Sequence, residues 1–146
     1  MEQYSTEVEK EAIMPIQSAV VKTGATGLTV VGGSDMSFSP DGVSVPNGIH
    51  VSVATDADFR TRRNATFKQK LPTLVNGNGY SKDKKTVVFV APKILADGTT
   101  VFNLIRIERE VHPESSAAEA LELNLVGGQL LSDADFASFW AGGNIA

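Results

Sequence analysis

The run Val101–Val111, VFNLIRIEREV, decides the fold class. Val101, Ile105, Ile107 and Val111 alternate with Phe102, Leu104, Arg106, Glu108 and Glu110, the period of two that sends successive side chains to opposite faces of a strand. Asp97-Gly98 just before it supplies a tight turn. Upstream of the turn, Thr86-Val87-Val88-Phe89-Val90 leads to Pro92 as a second strand, apolar enough throughout that both faces are expected to be partly buried. Two strands joined by a turn predict antiparallel pairing.

The pattern continues outward in both directions. In Ala65–Leu71, Ala65, Phe67 and Leu71 share one face, and Thr66, Lys68 and Lys70 share the other, so one face is apolar and the opposite one basic. Met36-Ser37-Phe38-Ser39 ahead of Pro40-Asp41-Gly42, and Ile49–Val53 after Pro46-Asn47-Gly48, read as short half-buried strands bounded by turns. Further back, Ala19-Val20-Val21 and Leu28–Val31, separated by glycine-containing residues, read as an N-terminal hairpin. Residues 1–15 carry Glu2, Glu7, Glu9 and Glu11 and end at a proline, and form an arm of uncertain order ahead of a single domain over 16–146.

Downstream the period changes. Pro113 ends the strand, and Ser116-Ala117-Ala118-Glu119 has the spacing of a capping box. A helix is expected there, with Leu121 and Leu125 at its apolar centre and Gly127-Gly128 weakening it by about 1 kcal/mol per glycine. A second helix follows Ser132, with Phe136, Phe139 and Trp140 at i, i+3 and i+4 and Gly142 as its stop. The expected fold is α+β: the hairpin, an antiparallel sheet, then two C-terminal helices. Two short helices cannot cover such a sheet and one another as well, so association is expected. Phe136, Phe139, Trp140, Leu121 and Leu125 are the candidate dimer interface, and the Val101–Val111 strand is a candidate for pairing across a symmetry axis.

Charge is segregated. The formal net charge is −4, yet nine of the thirteen Lys and Arg fall between Arg60 and Lys93, where Asp83 is the one acid, so that stretch carries +8 and the remainder −12. Local charge, not the total, sets affinity for phosphates. No run approaches the roughly 20 apolar residues that cross a bilayer, and Met1–Glu11 is too acidic to begin a secretory signal. The absence of cysteine removes disulfides, thiolate metal sites and cysteine nucleophiles.

At this point the chain resembles the coat proteins of small single-stranded RNA bacteriophages of the levivirus type. Ser39–Ile49, SPDGVSVPNGI, is similar to the family's exit from an early strand. Lys84–Ile94, KKTVVFVAPKI, is similar to its central strand, which opens with basic residues and ends in a Pro-Lys step. The Asp97-Gly98 turn, the long strand, the Pro113-Glu114-Ser115-Ser116 helix entry and two short helices follow in the family's order, so the resemblance covers about 16–142. It implies an N-terminal hairpin, a five-stranded antiparallel sheet, helices that clasp a partner subunit, and an obligate dimer that assembles into an icosahedral shell in the bacterial cytoplasm. It also implies that the sheet binds genomic RNA inside the virion, including a hairpin through which the coat protein represses replicase translation. Against the family pattern, the acidic arm is unusual, the loop over 72–83 is long, and Val88 stands where a lysine often follows the pocket threonine.

RNA recognition needs cations for phosphates and small polar groups or rings for unstacked bases. Thr66, Lys68, Lys70, Lys84, Thr86 and Arg106 are the candidate contacts, with Arg60, Arg62 and Lys85 as further phosphate contacts whose facing the sequence leaves open. No tyrosine is placed to stack a base; Phe102 or Leu104 can take that role. Their bland reading is solubilising charge on a sheet face. Catalytic material is weak: His50 and His112 stand alone, Asp133 and Asp135 suit a helix N-terminus, and no phosphate-binding glycine loop or Gly-x-Ser-x-Gly occurs. No cofactor, metal, membrane or small-molecule substrate is expected. The alternatives are a cellular RNA-binding β-sheet regulator that forms no shell and, more distantly, an enzyme assembled from loops.

Overall fold

The computed structural model describes residues 18–75, 77 and 79–142; the acidic arm lies outside them. They fall into two compact units, one holding the chain from Val31 to Ser116 and the other joining the segment before it to the C-terminal helices.

The first unit is the sheet. Strands β1 (Phe38–Pro40), β2 (Gly48–Val53), β3 (Asn64–Lys70), β6 (Asp83–Ile94) and β7 (Thr100–Val111) form one antiparallel sheet in the order β1-β2-β3-β6-β7. The five strands are those expected from alternation, with β6 extended at both ends. Between β3 and β6, β4 (Leu74–Val75) and β5 (Gly79–Tyr80) form a separate two-stranded hairpin where a plain loop was expected. Thr73 and Ser81 close its base: Ser81 N donates to the Thr73 carbonyl at 2.7 Å, and Thr73 N donates to Ser81 Oγ at 2.9 Å.

Turns do what their residues dictate. Asn47 sits at φ 57°, one of the few non-glycine types that tolerate this region, and its carbonyl accepts from Gln69 N at 3.0 Å. Gly48 then begins β2 with its Cα pressed on the Phe67 carbonyl, where any Cβ would overlap that oxygen. Gly98 at φ 86° turns β6 into β7, and Asp97 Oδ1 accepts from Thr99 N at 2.9 Å. Val53 and Ala65 are buried beside each other's strands, and Phe38 meets Phe89 edge-to-face at 6.4 Å.

The second unit holds α1 (Ala117–Ser132), a 3₁₀ turn (Ala134–Phe136) and α2 (Ala137–Gly142), with Leu125, Gln129 and Phe136 buried. The helix runs through Gly127-Gly128 without a break, and Leu28 fills the space a Cβ at Gly128 would need. No helix of the described residues is long and apolar enough to cross a membrane.

The N-terminal hairpin is a correction: no strand is found from 18 to 37. Side chains of the C-terminal helices take several backbone groups of its first half. Gln129 Oε1 accepts from Lys22 N at 2.7 Å while Gln129 Nε2 donates to the Lys22 carbonyl at 3.0 Å, the pairing a neighbouring peptide would give. Asp135 Oδ2 accepts from Val20 N at 2.9 Å, and Glu122 accepts from Gly24 N and Thr23 Oγ1. The amides of Val20, Lys22 and Gly24 thus find acceptors without a hairpin partner.

Candidate nucleic-acid interface

Register sets the composition of each sheet face, because directly opposed residues point the same way. Thr66 opposes Val88, and Val88 opposes Arg106; Lys68 opposes Thr86, and Thr86 opposes Glu108; Lys70 opposes Lys84, and Lys84 opposes Glu110. All six central candidates, Thr66, Lys68, Lys70, Lys84, Thr86 and Arg106, therefore share one face. Five of them with Lys70 set aside, together with Val88 and Glu108, line an open depression of about 400 Å³. The other face carries Ile49, Val51, Ala65, Phe67, Val87, Phe89, Ile105 and Ile107.

Two features of the polar face were not legible in the sequence. Lys84 ion-pairs with Glu108, which with Glu110 behind it holds the ammonium above the ordinary lysine range. The antiparallel register brings Lys84 to these glutamates, a pairing that the spacing along one strand does not show. Lys68, Lys70 and Arg106 make no ion pair with another described residue. Arg106 stands directly opposite Val88, so a cation reaches from β7 toward the place where β6 has a valine.

The second feature is a polar cluster at the β2 side. Ser52 Oγ donates to Asp41 Oδ2 at 2.5 Å, His50 Nδ1 lies 2.6 Å from the same oxygen, and Val43 N donates to Asp41 Oδ1 at 3.1 Å. Ser52 foremost, then Val43 and His50, hold the Asp41 carboxyl below its usual range. His50 opposes Thr66 and so shares the polar face.

Arg60 and Arg62 are not brought to that face. They belong to the loop between β2 and β3, where Arg60 Nη2 meets Asp58 Oδ2 at 3.0 Å and Arg62 Nε donates to the Asp56 carbonyl at 3.0 Å. Arg63 is clamped on Asp56 through Nε at 2.9 Å and Nη2 at 3.0 Å, which lowers the Asp56 carboxyl to about 2. Lys85 points to the apolar face, 2.5 Å from Asp83. Phe102 and Leu104 do lie on the polar face, both exposed.

Among the candidate interface residues, Phe136 and Leu125 are buried in their own unit, whereas Leu121 and Trp140 are more than half exposed. Phe139 and Trp140 meet edge-to-face at 5.1 Å, and Trp140 Nε1 donates to the Leu130 carbonyl at 2.9 Å.

Among solved structures, the chain matches the virus-like particle of bacteriophage GQ-907 with a TM-score of 0.85 and 53% identity, covering 90% of this chain and 99% of that one. It also matches the virus-like particle of Wenzhou levi-like virus 4, with a TM-score of 0.58 and 20% identity over 81% of this chain and 83% of that one, a likeness of fold alone. No protein-family model matches, and no curated protein matches significantly. A five-stranded antiparallel sheet followed by two helices, shared at this identity with a particle-forming protein, defines a viral capsid subunit, a structural protein and not an enzyme. The chain belongs to the levivirus-type coat proteins of small single-stranded RNA bacteriophages.

Proposed function

We propose that the chain dimerises, that the dimers close into an icosahedral shell, and that the polar sheet face lines its interior and binds genomic RNA. The observation that carries the RNA reading is the convergence of Lys68, Lys70, Lys84 and Arg106 on one face with Thr66 and Thr86 between them. Cations there neutralise phosphates and release counterions, while the two hydroxyls sit where an unstacked base can be read. The hydroxyls also support repression of replicase translation through a hairpin, with Leu104 and Phe102 as an apolar surface farther along the same face.

Dimerisation is supported by what the sheet leaves uncovered. On the apolar face Ile49 is 63% exposed, Ile107 47% and Phe67 42%, and few monomeric folds leave such a row to water. Strand β7, twelve residues long, is an edge whose outer hydrogen-bonding groups find no strand among the described residues. A symmetry mate can pair along it, and the partner's exposed Leu121 and Trp140 can cover the apolar row.

Expression of the chain alone in bacteria, followed by negative-stain microscopy and nucleic-acid content, tests the whole reading. RNA-filled particles are expected, assembled in the host cytoplasm as they would be for the virion. A strictly monomeric protein by light scattering, at low salt with RNA present, overturns it; a stable dimer that binds RNA and never assembles restores the regulatory alternative.

A further inference from the structure

A closed shell needs contacts beyond the twofold one. A twofold contact uses the same patch on both copies, whereas a contact that propagates around another axis joins two different patches of the chain. The sheet carries two such patches, at opposite ends of β3. The first is the loop before Asn64, where Phe59 is 80% exposed, the highest value for any aromatic residue of the described chain. Hydrogen bonds tie this loop to itself: Asp58 accepts from Arg60 N, Nε and Nη2, Asp56 accepts from Arg63, and Thr61 N donates to the Asp58 carbonyl at 3.1 Å. Its charges are paired with one another, Asp58 with Arg60 and Asp56 with Arg63, and Phe59 stands exposed between the members of the first pair.

The second patch is the β4–β5 hairpin after Lys70. Leu74 is 64% exposed, Tyr80 57% and Val75 52%, and the Thr73–Ser81 hydrogen bonds hold the hairpin closed. From Leu71 to Ser81 the chain has no charged residue, although Lys70 and Lys82 flank it within the most basic region of the sequence. A surface meant for phosphates would carry the cations that its neighbours have; this one carries apolar side chains, which suits protein.

We propose that the Phe59 loop of one copy seats against the β4–β5 hairpin of a neighbouring copy, a heterologous contact between dimers in the shell. The inference rests on the shell reading above. An exposed aromatic anchor meeting a small uncharged apolar surface has the composition of an interface centre.

Phe59→Ser and Leu74→Ser are compared with the parent for particle yield, dimer mass and RNA affinity of the free dimers. Each single variant is expected to cut particle yield several-fold while dimers and their RNA affinity stay as in the parent. The double variant is expected to lose no more than the worse single one, because both sides of one contact are already gone. The chain has no cysteine, so Phe59→Cys chains mixed with Leu74→Cys chains can be joined by a short bismaleimide. The 59-to-74 product is expected in particles and absent from free dimers. Normal particles from both serine variants, fully additive losses, or a 59-to-74 product in free dimers overturn the contact. Reduced RNA affinity with normal assembly also overturns it, and marks the hairpin as a base-stacking site. A parent chain that forms no particles overturns the shell reading, and this contact with it.

Discussion

Lys84 ion-pairs with Glu108 on the adjacent strand while the residue directly opposite it is Glu110, so one cation of the polar sheet face is held by two acids of β7. The pair is roughly 40% exposed on both sides, so its own contribution to stability is small. In the proposed RNA-binding role its effect is on the field at that face, because Glu108 offsets the charge that Lys84 would offer a phosphate.

Glu108→Gln is therefore expected to strengthen RNA binding at low salt and steepen the salt dependence by up to about one unit of log–log slope, as a released lysine adds a phosphate contact. Filter binding over a salt series reads this directly. Unchanged affinity and slope would place Lys84 away from the RNA path.

Replacing Lys68, Lys70 or Arg106 by alanine is expected to do the reverse, weakening every RNA alike and flattening the slope by about 0.7–0.9 per lost contact. Thr66→Val and Thr86→Val should instead leave the slope alone and change the ranking among hairpins, since a hydroxyl that reads a base discriminates and a phosphate contact does not. A hairpin library assayed with each variant separates the two classes.

Phe136 and Trp140 should separate fold from assembly. Phe136 is buried within its own unit, so Phe136→Ala is expected to cost about 3–5 kcal/mol of stability. Trp140, 56% exposed, should cost the isolated fold much less while loosening the dimer. Thermal melts paired with sedimentation are the measurement. Equal loss of stability with an intact dimer for Trp140→Ala would end its assignment to the interface.

Gly48→Ala is expected to destabilise the sheet by about 1–3 kcal/mol, because the added Cβ meets the backbone carbonyl of Phe67 and not a movable side chain. Gly127→Ala, where a Cβ meets nothing, should stabilise α1 by up to about 1 kcal/mol. Chemical denaturation of the two variants side by side gives both signs.

Asp56 sets an acid limit on the β2–β3 loop. Its carboxyl is lowered from an ordinary 3.8 to about 2 by Arg63, so on acidification the unfolded chain takes up the proton first. The Asp56–Arg63 clamp therefore stabilises fully above the ordinary carboxylate range and is lost as pH falls through about 2. Asp56→Asn is expected to melt lower than the parent at neutral pH, with the gap closing between about pH 4 and 2. A gap that stays constant across that range would show that the carboxylate charge does not matter.

Sequence alone determined the elements whose signal is local. Period-two alternation in Val101–Val111 and Ala65–Leu71, the glycine turns at Asn47-Gly48 and Asp97-Gly98, and the start of α1 after Ser116 all follow from backbone sterics and side-chain alternation within a few residues. The basic face was half legible for the same reason: Thr66, Lys68 and Lys70 share parity within one strand, and Arg106 does within another. Tertiary structure decided whatever depends on partners distant in the chain. Register joined Lys84 and Thr86 to that face, sent Lys85 to the other and brought Glu108 onto Lys84, because a shift of one residue reverses every side chain and no local pattern fixes the shift in so apolar a strand as β6. The N-terminal segment shows the same limit most plainly. Glycine and β-branched residues around 19–31 look like hairpin strands, but Gln129, 107 residues from Lys22, supplies the amide that a second strand would have supplied. Backbone donors must be satisfied, and only the folded chain determines by what.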